Sequence, residues 1–159
     1  MRIAQVITQA LSDTVARQGF VRIAFPGGRS AVELMAELSN ASIDWQSVCV
    51  TLVDERAVNE SSDASNAALV KSTLCVNQAE QSTFEPLFVG DNAEQSVEYL
   101  NQQDFPLDIA VLGMGEDGHF ASLFPSGTAV PGLDDERLGF VATSAVGSPS
   151  VPRISMTLN

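Results

Sequence analysis

Residues 108–127 read DIAVLGMGEDGHFASLFPSG, in which a short apolar run leads directly into closely spaced glycines. The apolar run, residues 109–112, is typical of a strand that is buried on both faces of a sheet. The glycines allow the backbone to adopt positive φ angles and to approach a ligand closely. We therefore predict a strand that ends in a binding loop, whose glycines are Gly113, Gly115 and Gly118.

The same loop carries the only histidine of the chain, His119, two residues after Asp117. Ligands of open α/β sheets bind beyond the carboxyl ends of the strands, which is where this histidine is expected to lie. Histidine is the side chain best suited to take up and release protons near neutral pH. The structural alternative for such a loop is a glycine turn with a solvated histidine.

The glycine spacing also fits the string G-x-G-x-x-G, which marks dinucleotide sites when a long helix begins at the last glycine. Pro125 follows Gly118 by seven residues and limits any helix there to about two turns. The string also lies in the middle of the chain, whereas the fingerprint usually occupies the first strand–helix turn. A dinucleotide cofactor is therefore disfavoured, and no other cofactor is predicted.

The composition is typical of one globular domain, which we assign to residues 1–159, with 45% hydrophobic residues. No apolar run approaches the roughly 18 residues of a membrane helix, and the N-terminus has no signal-peptide core. These features predict a cytoplasmic protein. Cys49 and Cys75 lie in apolar segments, so we expect buried thiols and not a disulfide scaffold.

Twenty acidic and eight basic residues give a net charge of −12. This charge argues against nucleic acid or an anionic membrane as a partner, but a local site for a small anion remains compatible with it. One histidine and two scattered cysteines give no zinc pattern, so no metal site is predicted. We expect a monomer or a weak homo-oligomer.

Strand and helix patterns alternate along the chain and predict an α/β fold. We expect a Rossmann-like, mainly parallel sheet with helices on both faces. The first two predicted helices cover residues 3–18 and 31–38, the second with Ser30 as N-cap. A third helix opens within residues 63–66, with Asp63 or Ser65 as N-cap, and runs to about Cys75; a fourth runs from its N-cap Asp91 to about Asn101. The predicted strands cover residues 20–25, 48–53, 109–112, 139–146 and 152–158.

The turn after the first strand contains Gly27, Gly28, Arg29 and Ser30 and opens a helix, with Glu33 completing a capping box. A helix N-terminus behind a glycine turn receives anions, and an arginine suits a phosphate or carboxylate. A glycine-rich turn with a solvated arginine is the alternative.

The second strand ends in Asp54-Glu55-Arg56. Charged groups at the end of a buried strand are unfavourable unless they are paired or take part in binding or chemistry. The alternative to a functional role is an internal salt-bridge cluster that orders the following loop.

Four segments together resemble the 6-phosphogluconolactonase family, which shares a superfamily with the glucosamine-6-phosphate isomerases and deaminases. They are FPGGRSAVELMAEL (25–38), VTLVDERAVNESSDASNAALV (50–70), DIAVLGMGEDGHFASLFP (108–125) and PRISMTL (152–158). The resemblance implies hydrolysis of 6-phosphoglucono-1,5-lactone to 6-phosphogluconate in the pentose phosphate pathway, without metal or cofactor. The implied partner is a sugar phosphate lactone.

The resemblance also implies residue roles. The phosphate would bind at the Gly27–Ser30 turn, including Arg29, and His119 would activate water for attack on the lactone carbonyl. Arg56 would orient the substrate, and Arg153 would also contact it. Asp54 and Asp117 would form the polar floor of the site. On physical grounds we add the N–H groups of the 113–118 turn as candidate oxyanion donors.

Phe124 favours the lactonase activity over the isomerase activity of the same superfamily. The resemblance places a glutamate there in the isomerases, and a phenylalanine cannot transfer a proton. Relatives also continue beyond residue 159, and the missing part would supply a last strand, helices and a lysine near the phosphate. We therefore expect a sheet that is incomplete at the C-terminus, and a non-catalytic sugar-phosphate-binding fragment remains the alternative function.

Overall fold

The computed structural model describes residues 2–125 and 139–157 of the chain. Four α-helices and seven strands lie in this part, together with short 3-10 helices at Trp45–Ser47 and Asn77–Gln81. The helices are α1 (Ile3–Gln18), α2 (Arg29–Leu38), α3 (Asn66–Thr73) and α4 (Ala93–Asn101). The strands are β1 (Val21–Phe25), β2 (Val48–Leu52), β3 (Asp54–Arg56), β4 (Thr83–Phe84), β5 (Ile109–Ala110), β6 (Phe140–Val146) and β7 (Val151–Met156).

A parallel sheet in the order β4-β2-β1-β5 forms the centre of the fold and confirms the predicted α/β class. Its two middle strands are entirely buried, as the apolar content of residues 21–25 and 48–52 requires. Ile23 pairs with Val50 on one side and with Ile109 on the other. The carboxyl ends of β1, β2 and β5 therefore lie side by side.

The prediction that residues 109–112 are buried on both faces is wrong. Only Ile109 and Ala110 form strand β5, which pairs with β1 alone among the described strands. Ala110 is exposed, and Leu112 keeps 52% of its surface accessible. An apolar run indicates burial on average, but an edge strand leaves one side of the run uncovered.

The last two strands do not extend this sheet. β6 and β7 form an antiparallel hairpin, and β7 also pairs with β3 to give a second sheet in the order β3-β7-β6. The Asp54-Glu55-Arg56 segment, predicted as the polar end of β2, is thus itself a strand. Its pairing places Arg56 opposite Arg153.

Two predicted N-caps are displaced by one or two residues. Gly28 is the N-cap of α2, so Ser30 is the second residue of the helix and caps nothing. Asn92 caps α4 in place of Asp91, and its side chain accepts a hydrogen bond of 2.9 Å from the Gln95 N–H. Ser65 caps α3, which confirms one of the two predicted candidates.

Both cysteines are free thiols, as predicted, with Cys49 buried and Cys75 partly buried. Burial raises the pKa of each thiol above its ordinary value. Among the described residues, no helix has the length and apolarity needed to cross a bilayer. Leu158 of the last predicted strand lies outside the described residues.

Candidate active site

A cavity of about 220 Å³ opens where β1, β2 and β5 end. Nine of the twelve residues predicted for the site line it, namely Gly27, Gly28, Ser30, Asp54, Arg56, Gly113, Gly115, His119 and Arg153. Pro26, Asn66, Met114 and Ala121 complete the lining. The sheet topology therefore assembles the glycine turn, the acidic–basic strand β3, the histidine loop and β7 around one space.

His119 is paired with Asp117. Its Nδ1 lies 2.5 Å from Asp117 Oδ1, and its backbone N–H donates to the same oxygen at 3.2 Å. The hydrogen bond from the imidazole lowers the pKa of the Asp117 carboxyl below its ordinary value. Asp117 thus lies behind the histidine and not in the cavity wall, and its bond to Nδ1 leaves Nε2 as the ring nitrogen for chemistry.

The glycines of this loop have separate structural roles. A Cβ on Gly115 would overlap the imidazole of His119, so the absence of a side chain there lets the ring pack against the backbone. Gly118 has a φ of 85°, which favours glycine. No helix forms between residues 113 and 125, so the loop lacks the helix that a dinucleotide fingerprint requires.

Two of the backbone N–H groups predicted as oxyanion donors already donate hydrogen bonds within the loop. The N–H of Gly115 donates to the carbonyl oxygen of His119 at 2.8 Å, and the N–H of Gly118 donates to that of Gly115 at 3.0 Å. These two bonds close the loop on itself. The Gly115 and Gly118 amides are therefore unsuited to receive a substrate oxygen without opening the loop.

Two guanidinium groups face the cavity from neighbouring strands. Arg153 is 4% exposed, and burial together with the charge of Arg56 lowers its pKa. Its Nη1 lies 3.9 Å from Asp54 Oδ2, and its Nη2 donates to the Pro149 carbonyl at 3.1 Å. Arg56 donates through Nη1 to the Ala64 carbonyl at 2.9 Å. Within the described part of the chain, its buried Nε has no hydrogen-bond partner.

Asn66 is a site residue that the sequence analysis missed. It is 1% exposed, donates through Nδ2 to the Asp54 carbonyl at 2.8 Å, and accepts a hydrogen bond from Arg56 Nη1. A Cβ on Gly27 would overlap its amide, so the glycine turn and this side chain are in direct contact. A polar residue at the start of a helix carries no sequence signal that separates Asn66 from an ordinary surface asparagine.

Of the two acidic residues Asp54 and Glu55, Glu55 orders the segment that follows, as the structural alternative for this cluster predicts. Glu55 accepts hydrogen bonds from the backbone N–H groups of Asn66 at 2.8 Å and Ala67 at 2.7 Å, and from Ser65 Oγ at 3.1 Å. It thus anchors the N-terminus of α3, and its burial raises the pKa of the carboxyl. Glu55 does not line the cavity, whereas its neighbour Asp54 does.

Arg29 is one of the three predicted site residues that do not line the cavity. It is the exposed first residue of α2 and does not line the cavity, while its neighbour Ser30 does. Gly28 enters the helix with a φ of 89°. Among the described residues, no group of three or more histidine, cysteine, aspartate or glutamate side chains is arranged to hold a metal ion.

The fold and the cavity define an α/β protein with a histidine–aspartate pair and two arginines at the carboxyl ends of a parallel sheet. Residues 1–159 match the family model described as glucosamine-6-phosphate isomerases/6-phosphogluconolactonase, and the chain belongs to that family.

The comparisons with individual proteins agree with this assignment. The chain is 37% identical over 163 residues to the 6-phosphogluconolactonase of Pseudomonas aeruginosa, covering 98% of the chain and 67% of that protein. It is 37% identical over 142 residues to that of Helicobacter pylori strain J99, covering 87% and 61%. A crystal structure of a Shewanella baltica 6-phosphogluconolactonase matches with a TM-score of 0.87 at 33% identity, covering 98% and 68%. The chain thus spans about two thirds of the length of these relatives.

Proposed function

We propose that this chain provides the active site of a 6-phosphogluconolactonase, which hydrolyses 6-phosphoglucono-1,5-lactone to 6-phosphogluconate. The observation that supports it is the shared cavity, in which His119, oriented by Asp117, faces the same space as Arg56, Arg153 and the glycine turn. The names of the relatives support the same reaction.

The histidine acts as general base in this proposal. Asp117 accepts the Nδ1–H of His119 and so holds the tautomer whose Nε2 carries a lone pair. Nε2 takes a proton from water as the water oxygen bonds to the lactone carbonyl carbon. The ring C–O bond then breaks, and the leaving oxygen receives that proton from the imidazolium. Hydrolysis consumes one water and leaves a hydroxyl group and a carboxylic acid, which releases its proton to solvent and becomes the carboxylate.

The arginines supply the positive charge that this reaction needs. Negative charge develops on the carbonyl oxygen, and fixed donors in a partly buried site stabilise it more strongly than water does. Arg56 and Arg153 line the cavity, and their guanidinium groups are the candidates for this role. Gly27, Gly28 and Ser30 also line the cavity, at the start of α2, and offer a phosphate the helix N-terminus.

The test measures lactone hydrolysis above the spontaneous rate. The lactone is generated in the assay, and 6-phosphogluconate formation is compared for the wild-type chain, His119→Ala and a control, Glu98→Ala, on the exposed face of α4. Loss of the general base should lower turnover by roughly 10²–10⁴-fold, with the control unchanged. Equal acceleration by the wild type and His119→Ala would remove the histidine from the reaction. If no chain accelerates hydrolysis but 6-phosphogluconate still binds, the function is sugar-phosphate binding without catalysis.

A further inference from the structure

Phe124 lies against the imidazole of His119. The two ring centroids are 4.4 Å apart and the ring planes differ by 24°, which is a stacked arrangement. The chain reverses between them, because Ala121 has a φ of 48° and the Leu123 N–H donates to the Phe120 carbonyl at 3.0 Å. This local turn returns the phenylalanine to the histidine that precedes it by five residues.

The phenylalanine is in turn packed against the β6–β7 hairpin. The guanidinium carbon of Arg153 lies 5.8 Å from its ring centroid. Gly147, in the hairpin turn, leaves so little room that an added Cβ would lie 3.2 Å from Phe124 Cζ and 2.9 Å from Arg153 Nη2. The hairpin, the phenylalanine and the imidazole therefore form a continuous stack of contacts.

The contacts of His119 with Asp117 and Gly115 leave the imidazole ring some freedom to tilt. The stack with Phe124 restricts that tilt. Asp117 fixes Nδ1 at one point, and Gly115 packs against the Nδ1–Cε1 edge of the ring. A hydrogen bond at Nδ1 limits rotation of the imidazole about its Cβ–Cγ bond, but the ring can still tilt over the range in which that bond persists. A flat aromatic face held in place by the hairpin fixes the plane of the ring as well.

We propose that Phe124 is a positioning residue, which holds the His119 imidazole in the plane that keeps Nδ1 on Asp117 and Nε2 toward the cavity. The kinetic part of this inference rests on the proposed lactonase function. Small displacements of a catalytic group lower the rate of the chemical step more than they lower ground-state binding of the substrate. Through Phe124, the β6–β7 hairpin of the second sheet helps to hold His119, the proposed general base.

The test uses the fact that the chain contains one histidine, whose imidazole signals need no assignment in NMR spectra. Phe124→Leu removes the aromatic face and keeps an apolar side chain, whereas Phe124→Tyr keeps the face. Phe105→Leu is the matched control, because Phe105 stacks edge-on against Phe140 and does not line the cavity.

In the wild type and in Phe124→Tyr we expect an upfield ring-current shift of an imidazole carbon-bound proton and a dominant Nδ1–H tautomer in nitrogen-15 spectra. In Phe124→Leu we expect the shift to disappear and the tautomers to mix, with Phe105→Leu like the wild type. Unchanged imidazole spectra in Phe124→Leu would overturn the proposal, and this readout does not require any activity.

Measurements of kcat and KM then distinguish a positioning role of Phe124 from a purely structural packing role. Phe124→Leu should lower kcat by about 10- to 100-fold with KM within about twofold, and Phe124→Tyr should restore kcat to within about threefold. An unchanged kcat in Phe124→Leu, despite altered imidazole spectra, would overturn the positioning role. Absence of wild-type hydrolysis would instead refute the proposed lactonase function and leave the spectra to decide whether Phe124 orients the histidine.

Discussion

Ser122 Oγ donates a hydrogen bond of 2.5 Å to Asp54 Oδ2 and so joins two residues that lie 68 positions apart in the chain. Both side chains are buried, with exposed fractions of 0% and 6%. The N–H of Ser122 also donates to Ser155 Oγ at 3.2 Å. The loop that carries His119 is therefore fastened to β3 and β7 of the second sheet.

Ser122→Ala should destabilise the protein by about 1–3 kcal/mol, because the largely buried Asp54 carboxylate loses its hydroxyl donor. The measurement is the free energy of unfolding from urea denaturation. Ser144→Ala, at an exposed position of β6, is the matched control and should change this free energy by less than about 0.5 kcal/mol. Equal stabilities of the two variants would show that the Ser122–Asp54 bond does not anchor the loop.

Much of the first sheet could be predicted from the sequence, because local patterns determine it. Apolar periodicity identified α1, and mainly apolar runs identified β1 and β2 to within one or two residues. The short edge strand β4 was not among the predicted strands.

The second sheet could not be predicted in the same way. Strand β3 is Asp-Glu-Arg, a composition that disfavours strands, and it forms because β7 pairs with it about 100 residues later in the chain. Pairing over such a separation leaves no local trace in either segment. The same applies to β5, whose apolar content did not show that it pairs with β1 alone among the described strands.

The site was predictable where its residues adjoin in sequence. His119 and Asp117 are two positions apart, and the turn that joins them brings them into contact. Asn66, Ser122 and the stacking of Phe124 were not predictable, because each acts through a partner from a distant segment or through a turn with an unusual φ. Pairwise tertiary contacts of this kind need the fold to be known.

Gly27→Ala tests the contact between the glycine turn and Asn66. The new Cβ would overlap the buried Asn66 amide, so the amide must move from the Asp54 carbonyl and from Arg56. We expect a loss of about 1–3 kcal/mol in the free energy of unfolding, as for other overpacked sites. Gly139→Ala is the control, since a Cβ there would meet no atom of the described residues within 4 Å. A Gly27→Ala variant as stable as this control would mean that the turn moves freely relative to α3.

The pair formed by His119 and Asp117 makes a prediction about acid titration. The hydrogen bond from His119 lowers the Asp117 pKa from its ordinary value of 3.8, so the folded chain binds that proton less readily than the unfolded chain. The stabilising contribution of Asp117 is thus present above pH 3.8 and is lost as the pH falls through the lowered pKa. In His119→Ala the Asp117 pKa should rise toward its ordinary value.

The measurement is a carbon-13 NMR titration of the Asp117 carboxyl in the wild type and in His119→Ala. Glu98→Ala is the control and should titrate like the wild type, because Glu98 lies on the exposed face of α4. An Asp117 midpoint that does not move in His119→Ala would show that another group, and not the imidazole, stabilises the carboxylate.

Arg29 and Ser30 give a paired test of where the phosphate binds under the proposed function. Arg29 is exposed and lies outside the cavity lining, so its guanidinium acts on a phosphate in the cavity mainly through water. Exposed charge interactions are worth about 0–1 kcal/mol, which corresponds to a rise in KM of no more than about fivefold in Arg29→Ala. Salt should reduce this difference, because the Debye length shortens as ionic strength rises.

Ser30→Ala should behave differently, because Ser30 lines the cavity and its hydroxyl can donate directly to a phosphate oxygen. Loss of one such hydrogen bond is worth about 0.5–1.5 kcal/mol, or a rise in KM of roughly 2- to 12-fold that salt changes little. The measurement is KM for both variants at low and at high ionic strength. A rise of more than about 100-fold in Arg29→Ala that persists at high salt would mean that the guanidinium contacts the phosphate directly. The phosphate would then bind on the exposed side of the α2 N-terminus and not within the cavity.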